Sequence, residues 1–123
     1  MKAKRESSIL HIKSYNFAIR IVNLSTFLQT QKKEFVLNKQ ILRSGTAIGA
    51  LVRESEFAQS NADFINKLSI ALKEANETDF WLNLLKDTSF IEENSYNSLA
   101  KDCSELIAIL VASINTVKNN LKQ

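Results

Sequence analysis

The sequence contains no proline, only two glycines, and one cysteine and one histidine among its 123 residues. Proline and glycine form many of the turns that connect short strands, so their scarcity argues against a β-rich fold and favours a few long helices. A lone cysteine cannot form a disulfide within the chain, and the apolar helical pattern around Cys103 predicts a small buried side chain in a reducing compartment. A chain of this length can bury one core without metals or disulfides, which predicts a single domain, residues 1–123.

Long apolar segments are also missing from the sequence. The longest apolar run, residues 106–112, is much shorter than the roughly 20 residues that cross a bilayer. Polar and basic residues interrupt the segment after the basic residues 1–5, so no signal-peptide core is present. We therefore expect a cytoplasmic protein with no membrane partner.

Residue combinations typical of catalytic and metal sites are absent. Glu74 and Glu77 could share a metal from one helix, but di-iron bundles also need Glu-x-x-His pairs, and the only histidine, His11, lies outside such a motif. Ser44 is predicted to be a small packing residue, and the sequence has no glycine-rich phosphate loop and no Cys/His pair. These absences predict a protein that is not an enzyme and has no cofactor, metal or small-molecule substrate.

Apolar residues at alternating spacings of four and three predict four long helices. Short polar connections make consecutive helices antiparallel neighbours, which predicts an all-α, up-down-up-down four-helix bundle. Ser60 and Asp63 form a capping box before the third helix, and Ser89 and Glu92 suggest another before the fourth. The predicted helices cover residues 7–29, 35–59, 61–86 and 92–118, each to within a few residues. The predicted core positions are Leu10, Ser14, Phe17, Ile21, Leu24, Leu28, Leu37, Ile41, Ser44, Ile48, Leu51, Ser55, Phe64, Leu68, Ala71, Ala75, Thr78, Leu82, Leu85, Tyr96, Leu99, Cys103, Leu106, Leu110 and Val117, with Tyr15, Ala18 and Val22 widening the apolar sector of the first helix.

The second predicted helix has three different faces. Lys39, Arg43 and Arg53 repeat on the side opposite the core positions, so they are predicted to point into solvent. Gly45 and Gly49 lie one turn apart on a third side, although a glycine within a helix costs about 1 kcal/mol relative to alanine. Their spacing suggests the close approach of another backbone. The alternative is a helix end or a kink near Gly45.

Charge is distributed unevenly along the chain. Residues 1–53 contain ten Lys or Arg and two acids, whereas residues 54–123 contain six Lys and eleven acids. If the first two helices share an exposed face, that face is a candidate phosphate-binding surface. The alternative is that the two halves neutralise each other across helix contacts or subunits. The candidate phosphate-binding residues are Lys32, Lys33, Lys39, Arg43 and Arg53, helped by Lys13 and Arg20.

The third predicted helix carries large apolar residues on two faces. A helix that is apolar on two faces is usually buried on both, and a single four-helix bundle covers only one of them. We therefore expect a second copy of the chain to cover the other face, with Trp81 as an anchor and the Lys73–Glu77 pair meeting charges such as Arg43 or Arg53 on the neighbour. The predicted subunit interface comprises Gly45, Gly49, Ile70, Lys73, Glu77, Phe80, Trp81 and Leu84.

Two long motifs in the sequence match a known pattern. Residues 42–50, LRSGTAIGA, and residues 63–85, DFINKLSIALKEANETDFWLNLL, resemble the bacterial family of 23S rRNA intervening-sequence proteins. The resemblance implies a small four-helix protein that assembles as a ring, a homopentamer. It also implies a relation to the accessory proteins of diversity-generating retroelements, which form basic pentamers that bind nucleic acid and a reverse transcriptase.

Two functions remain open at this stage. The first is a cyclic homo-oligomer that binds RNA or DNA through phosphate contacts, where the repetition of a modest patch around the ring raises the affinity. The second is an oligomeric structural or adaptor scaffold for protein partners, in which the basic residues pair with acids and no nucleic acid is bound.

Overall fold

The computed structural model describes residues 2–122 of the chain, with side chains from residue 9 onwards. Within these residues it contains four α-helices and no strand, which confirms the all-α prediction. The helices are α1 (Lys2–Thr30), α2 (Val36–Ser55), α3 (Asn61–Asp87) and α4 (Glu93–Leu121). None of them is long and apolar enough to cross a lipid bilayer.

Helix α2 ends earlier than predicted. This helix ends at Ser55 instead of residue 59, because the amides of residues 56–58 donate to carbonyls three residues earlier and tighten the chain into a turn. The turn leaves the Phe57 side chain 80% exposed. Helix α1 begins earlier than predicted, at Lys2, and α4 continues to Leu121.

Helix α3 begins at its predicted capping box, whereas no capping box forms at the start of α4. The Ser60 hydroxyl accepts from the Asp63 amide at 3.1 Å, and the Asp63 carboxylate accepts from the Gln59 amide at 3.2 Å, which confirms the first box. The second predicted box is wrong. Glu92 is the N-cap of α4 and forms no side-chain capping bond, while Ser89 adopts a left-handed turn conformation with a φ of 66°.

Helix α2 is capped by a carboxylate that the helical pattern did not predict. The N-cap residue Phe35 offers no side-chain hydrogen bond, but Glu34 accepts from the Asn38 amide at 2.8 Å and satisfies one free amide of the first turn. The preceding turn contains Lys33 with a φ of 53°, and the Glu34 amide donates to the Leu28 carbonyl. These bonds hold the connection between α1 and α2 in a defined turn.

The core lies between all four helices and follows the predicted positions closely. Most of the predicted core residues are buried, and the exceptions Leu37, Leu51, Phe64 and Tyr96 are partly buried against the same cluster. Helices α1 and α3 each contact both α2 and α4. In the described part of the chain, α1 and α3 share no Cα pair within 8 Å. The core therefore separates α1 from α3.

Candidate nucleic-acid and subunit interfaces

Both glycines of α2 face α1 of the same chain. A Cβ atom on Gly45 would lie 2.7 Å from the Ile21 side chain, and one on Gly49 would lie 3.2 Å from the Ser14 carbonyl oxygen. Helix α2 continues through both positions, so the predicted close approach is present and no helix end occurs there. The partner is an internal helix, which corrects the assignment of Gly45 and Gly49 to the subunit interface.

Arg43 is held by two carboxylates of α3. It donates to Glu74 at 2.9 Å and also to Glu77, and the Trp81 indole nitrogen donates to Glu77 at 3.0 Å. The Glu74 side chain is only 13% exposed, so the pair is partly shielded from water. Arg43 was predicted to contact phosphate and Glu77 to meet a neighbouring subunit, but the structure pairs the two within one chain. A phosphate would therefore have to compete with two carboxylates for Arg43.

The charged states of this group stabilise one another. The hydrogen bond from the Trp81 indole, together with Arg43, lowers the pKa of Glu77 although partial burial acts in the opposite direction. The hydrogen bond to Glu77 raises the pKa of Arg43. The nearby charge of Lys73 also helps to lower the pKa of Glu77. The arrangement therefore favours an ionised Glu77 and a charged Arg43 in the folded chain.

Two further basic residues of the candidate patch are paired with α4. Lys13 lies 3.1 Å from Glu105, and Arg20 lies 2.6 Å from Asp102. Arg20 also donates to the Ser98 hydroxyl at 2.9 Å. These pairs belong to the predicted alternative in which the basic first half of the chain neutralises the acidic second half.

The remaining four cations of the candidate set have no acidic partner. Among the side chains of residues 9–122, no carboxylate lies within 4 Å of Lys32, Lys33, Lys39 or Arg53, and all four are exposed. Lys32 lies 5.8 Å from the centre of the Phe27 ring. The three lysines lie in the α1–α2 turn and the first turn of α2. Arg53 lies near the other end of that helix, about 20 Å along its axis from Lys39 at 1.5 Å per residue.

The predicted apolar surface of α3 is present and exposed in part. We define the α3 outer face as Ile70, Lys73, Glu77, Phe80, Trp81 and Leu84. Ile70 is 38% exposed and Phe80 is 57% exposed, while Trp81 and Leu84 are half-buried. The Phe80 and Trp81 rings meet edge to face with centroids 4.9 Å apart. The chain therefore leaves apolar surface uncovered on this helix, as the sequence predicted.

A second exposed apolar surface lies on α1 and was not identified from the sequence. We define the α1 outer face as Ile12, Tyr15, Ile19 and Val22, whose side chains are 58%, 56%, 46% and 47% exposed. Tyr15 and Val22 therefore do not widen the core sector of α1 as predicted. The spacing of three, four and three residues along this face could have indicated a second apolar surface in the sequence. The core positions of the same helix form a longer apolar pattern, and that pattern alone was interpreted.

The described residues contain little that could support catalysis. Burial raises the pKa of Cys103 to about 12, and its thiol donates to the Ala75 carbonyl, so it is an unreactive packing residue as predicted. Among the side chains of residues 9–122, no group of three His, Cys, Asp or Glu residues could hold a metal. An open cleft of about 1100 Å³ beside the α3–α4 turn is lined by charges of both signs, including Lys32 and Glu92. The cleft therefore does not present a surface of one charge sign.

Comparison with known proteins found a family model and a solved structure that each match most of the chain. The sequence model of the family described as 23S rRNA-intervening sequence protein matches residues 6–112. A crystal structure of a protein of unknown function from the S23 ribosomal protein family of Bacteroides thetaiotaomicron is 55% identical to this chain, with a TM-score of 0.89. The match covers 89% of this chain and 98% of that one. No curated protein matches the chain.

Proposed function

Because the chain belongs to the family of 23S rRNA-intervening sequence proteins, we propose that it is a non-enzymatic cytoplasmic protein that forms a homopentameric ring and binds nucleic acid. RNA or DNA is held through its phosphates, without reading of the bases. The observation that carries this function is the group of three exposed lysines at the start of α2, Lys32, Lys33 and Lys39, which have no acidic partner among residues 9–122.

The proposal includes an antiparallel up-down-up-down bundle as the subunit. The order of the residues in contact supports this arrangement. Between α2 and α3, Ser44 is bonded to Thr78 whereas Glu54 pairs with Lys67, so rising residue numbers in one helix meet falling numbers in the other. The ion pairs between α1 and α4 follow the same order. The α1–α2 turn and the α3–α4 turn then lie at the same end of the bundle.

The ring is supported by the uncovered α3 outer face. Aromatic side chains such as Phe80 and Trp81 are the residues that most often anchor protein interfaces, and here they lie together on one exposed surface. Burial of this face against a second copy would remove the apolar contact with water that a lone chain retains. The subunit number of five comes from the family resemblance.

Phosphate binding is assigned to a smaller set of residues than the sequence suggested. Lys32, Lys33 and Lys39 form the centre of the surface because their charges are available to a ligand, whereas the charge of Arg43 is bound by Glu74 and Glu77. Ring symmetry repeats the three lysines in every subunit, so a weak single contact becomes an avid surface. Such binding weakens steeply as salt rises, because each phosphate contact releases condensed counterions.

A structural or adaptor scaffold is the second candidate, and one observation favours it. The ion pairs between α1 and α4 and between α2 and α3 join the basic first half of the chain to the acidic second half inside one subunit. These ion pairs give part of the uneven charge distribution a role in holding the subunit together. In the scaffold, the three lysines would serve a protein partner or solubility alone.

The test compares two variants with the same change in charge. The first carries Glu in place of Lys32, Lys33 and Lys39, and the control carries Glu in place of three exposed lysines of the C-terminal helix region. The control positions are Lys101, Lys118 and Lys122. Retention of a structured RNA and of duplex DNA is measured between about 50 and 200 mM salt, with the mass in solution measured on the same samples.

We expect the wild type to bind in a salt-dependent manner and the first variant to lose at least about tenfold in affinity, as several phosphate contacts disappear. The control should bind within a few-fold of the wild type, and all three proteins should keep the same mass. Equal losses of affinity in both variants would show that net charge, and not these three lysines, controls the binding. An assembled wild type that retains neither nucleic acid would favour the scaffold.

A further inference from the structure

Two exposed phenylalanine side chains lie beside the lysines that carry the proposed function. The Lys32 ammonium group lies 5.8 Å from the centre of the Phe27 ring, and both residues are exposed. Phe35 stands at the start of α2, four residues before Lys39. Residues three or four apart are neighbours on the surface of a helix. Each ring therefore has a lysine next to it.

The fold itself does not explain an aromatic side chain at position 35. Ser, Thr, Asp and Asn are preferred at the N-cap of a helix, whereas Phe35 forms no capping bond and Glu34 accepts from the Asn38 amide in its place. Burial does not explain the residue either, because Phe35 is 56% exposed. The bond from the Glu34 amide to the Leu28 carbonyl fixes the backbone on the other side of the ring. Phe35 is therefore an exposed ring on an ordered backbone.

The open cleft of about 1100 Å³ adjoins this surface. Phe27 and Lys32 belong to its lining, and Leu24, Phe90 and Leu99 add apolar side chains to it. A planar apolar group can therefore enter the cleft beside the Phe27 ring, where the Lys32 ammonium group can meet an anion attached to that group.

Lysines alternating with exposed rings match a partner that carries anions and flat apolar groups along one chain. An unpaired nucleic-acid strand has a phosphate at every nucleotide and a base whose faces are free to stack. Proteins that bind single strands combine a basic surface with aromatic side chains on which the bases stack. Bases inside a duplex already stack on one another and are not accessible to such rings. The two phenylalanines therefore favour an unpaired strand over a duplex.

Acidic residues at the same end of the bundle argue against a flat anionic partner such as a lipid membrane. The α3–α4 turn borders the same cleft and carries Asp87, Glu92 and Glu93, all of which are exposed. A bilayer lying across this end would meet these carboxylates together with the lysines, so repulsion would offset the attraction. A single strand is narrow enough to follow the α1–α2 turn alone.

We propose that the α1–α2 turn binds an unpaired strand of RNA or DNA, with one base stacked on Phe35 and another lying against Phe27 in the cleft. The three lysines hold phosphates of the same strand. This inference rests on the proposed nucleic-acid binding and adds the class of nucleic acid and two residues that contact its bases. Every base has a face that can stack on a phenylalanine ring, so the contact does not depend on sequence.

The test removes the Phe35 ring without changing any charge. Phe35→Leu keeps an apolar side chain but no ring, and Phe35→Tyr keeps the ring. The matched control is Phe57→Leu, which makes the same change at an even more exposed phenylalanine in the turn after α2. The probes are single strands of about 12 uridines or thymidines and a duplex of the same length. Mass in solution and circular dichroism confirm that each variant keeps the wild-type assembly and helix content.

We expect the wild type to bind the single strands more tightly than the duplex. Phe35→Leu should lose about tenfold in affinity for the strands and stay within about twofold for the duplex, while Phe35→Tyr and Phe57→Leu should bind like the wild type. Phe35→Leu should keep the wild-type salt dependence, because its phosphate contacts remain, whereas Glu in place of the three lysines should weaken that dependence. A strand that carries 5-iodouracil should photo-crosslink to the tryptic peptide of residues 34–39.

The outcomes separate this inference from the proposed function. Unchanged strand binding by Phe35→Leu, or cross-links confined to other peptides, would overturn base stacking at this turn and leave phosphate binding by the lysines intact. Equal losses for strand and duplex would mean that the ring maintains the shape of the turn and contacts no base. Binding to phosphatidylserine vesicles that depends on Phe35, without strand binding, would make the surface a membrane contact. A wild type that retains neither strand nor duplex would overturn the proposed function as well.

Discussion

Helix α2 packs against α1 through glycine and against α3 through polar side chains. Toward α1 it presents Gly45 and Gly49, so that the Ile21 side chain and the α1 backbone approach the α2 backbone directly. Toward α3 it presents Ser44, fully buried and hydrogen-bonded to Thr78 at 2.9 Å, and beside it the ion-paired Arg43. One helix thus makes two contacts of opposite chemical character.

The two contacts respond to different changes. The α1–α2 contact depends on the absence of side-chain atoms, so it is sensitive to added volume and insensitive to pH. The α2–α3 contact depends on partners for buried or half-buried polar groups, so it is sensitive to the loss of one partner and to the protonation of Glu77. Substitutions at each contact can therefore distinguish the effect of added volume from the effect of a lost polar partner.

The largest effect is expected at the glycine contact. Gly45→Val should lower the free energy of unfolding by about 3 kcal/mol, because the first added carbon alone would lie 2.7 Å from the Ile21 side chain. Urea unfolding of the variant measures the loss. Ala50→Val is the control, since it adds a β-branched side chain at an exposed position of the same helix and should cost less than about 1 kcal/mol. Equal losses would mean that helix propensity, and not crowding against α1, limits this position.

An intermediate effect is expected at the hydroxyl pair between α2 and α3. Thr78→Val should cost about 1 to 2 kcal/mol, because the Ser44 hydroxyl is fully buried and would lose its side-chain partner. The double variant with Ser44→Ala should lose less than the sum of the two single variants, which a double-mutant cycle measures. Thr116→Val is the control, as this α4 hydroxyl bonds only to a backbone carbonyl of its own helix. Additive losses would show that the two hydroxyls act independently.

The smallest effect is expected from the titration of Glu77. Its pKa is lowered in the folded chain, so its contribution to stability is fully present above the pKa of an unfolded glutamate, about 4.3, and is lost as pH falls through the lower folded value. The loss should be about 1 kcal/mol or less, as for other partly exposed ion pairs. Trp81 fluorescence should change in the same acidic range, since its indole donates to Glu77. Glu77→Gln should remove that change, and Asp102→Asn, in the exposed pair with Arg20, should leave it intact.

Features that depend on neighbouring residues in the sequence were predicted well. The core positions of all four helices and the Ser60–Asp63 cap follow from helical spacing and from hydrogen bonds between residues three or four apart. The end of α2 and the capping box before α4 were predicted wrongly, because a turn competes with a helix at both places. The pattern from Ser89 to Glu92 resembles a capping box, but the left-handed backbone at Ser89 belongs to the turn that leads into α4.

The candidate interfaces were predicted less completely, for a physical reason. The α3 outer face was found because large apolar residues stand where solvent is expected, and the same signal on α1 was present but overlooked. The pairing of charges was not predictable, since Arg43 could reach a phosphate, a neighbouring subunit or α3 with equal ease on a helical wheel. Only the rotation of α2 relative to α3 places Glu74 and Glu77 within its reach.

The amino-acid sequence alone determined that this protein is made of four long helices, and which side of each helix enters the core. It did so because helical periodicity and capping are local, and because the sequence offers few residues that would break a helix. The tertiary structure decided which neighbour the glycines approach, which basic residues are neutralised and which remain available. Those outcomes depend on how each helix is rotated and which helices lie beside it, and these are set by the packing of the whole chain.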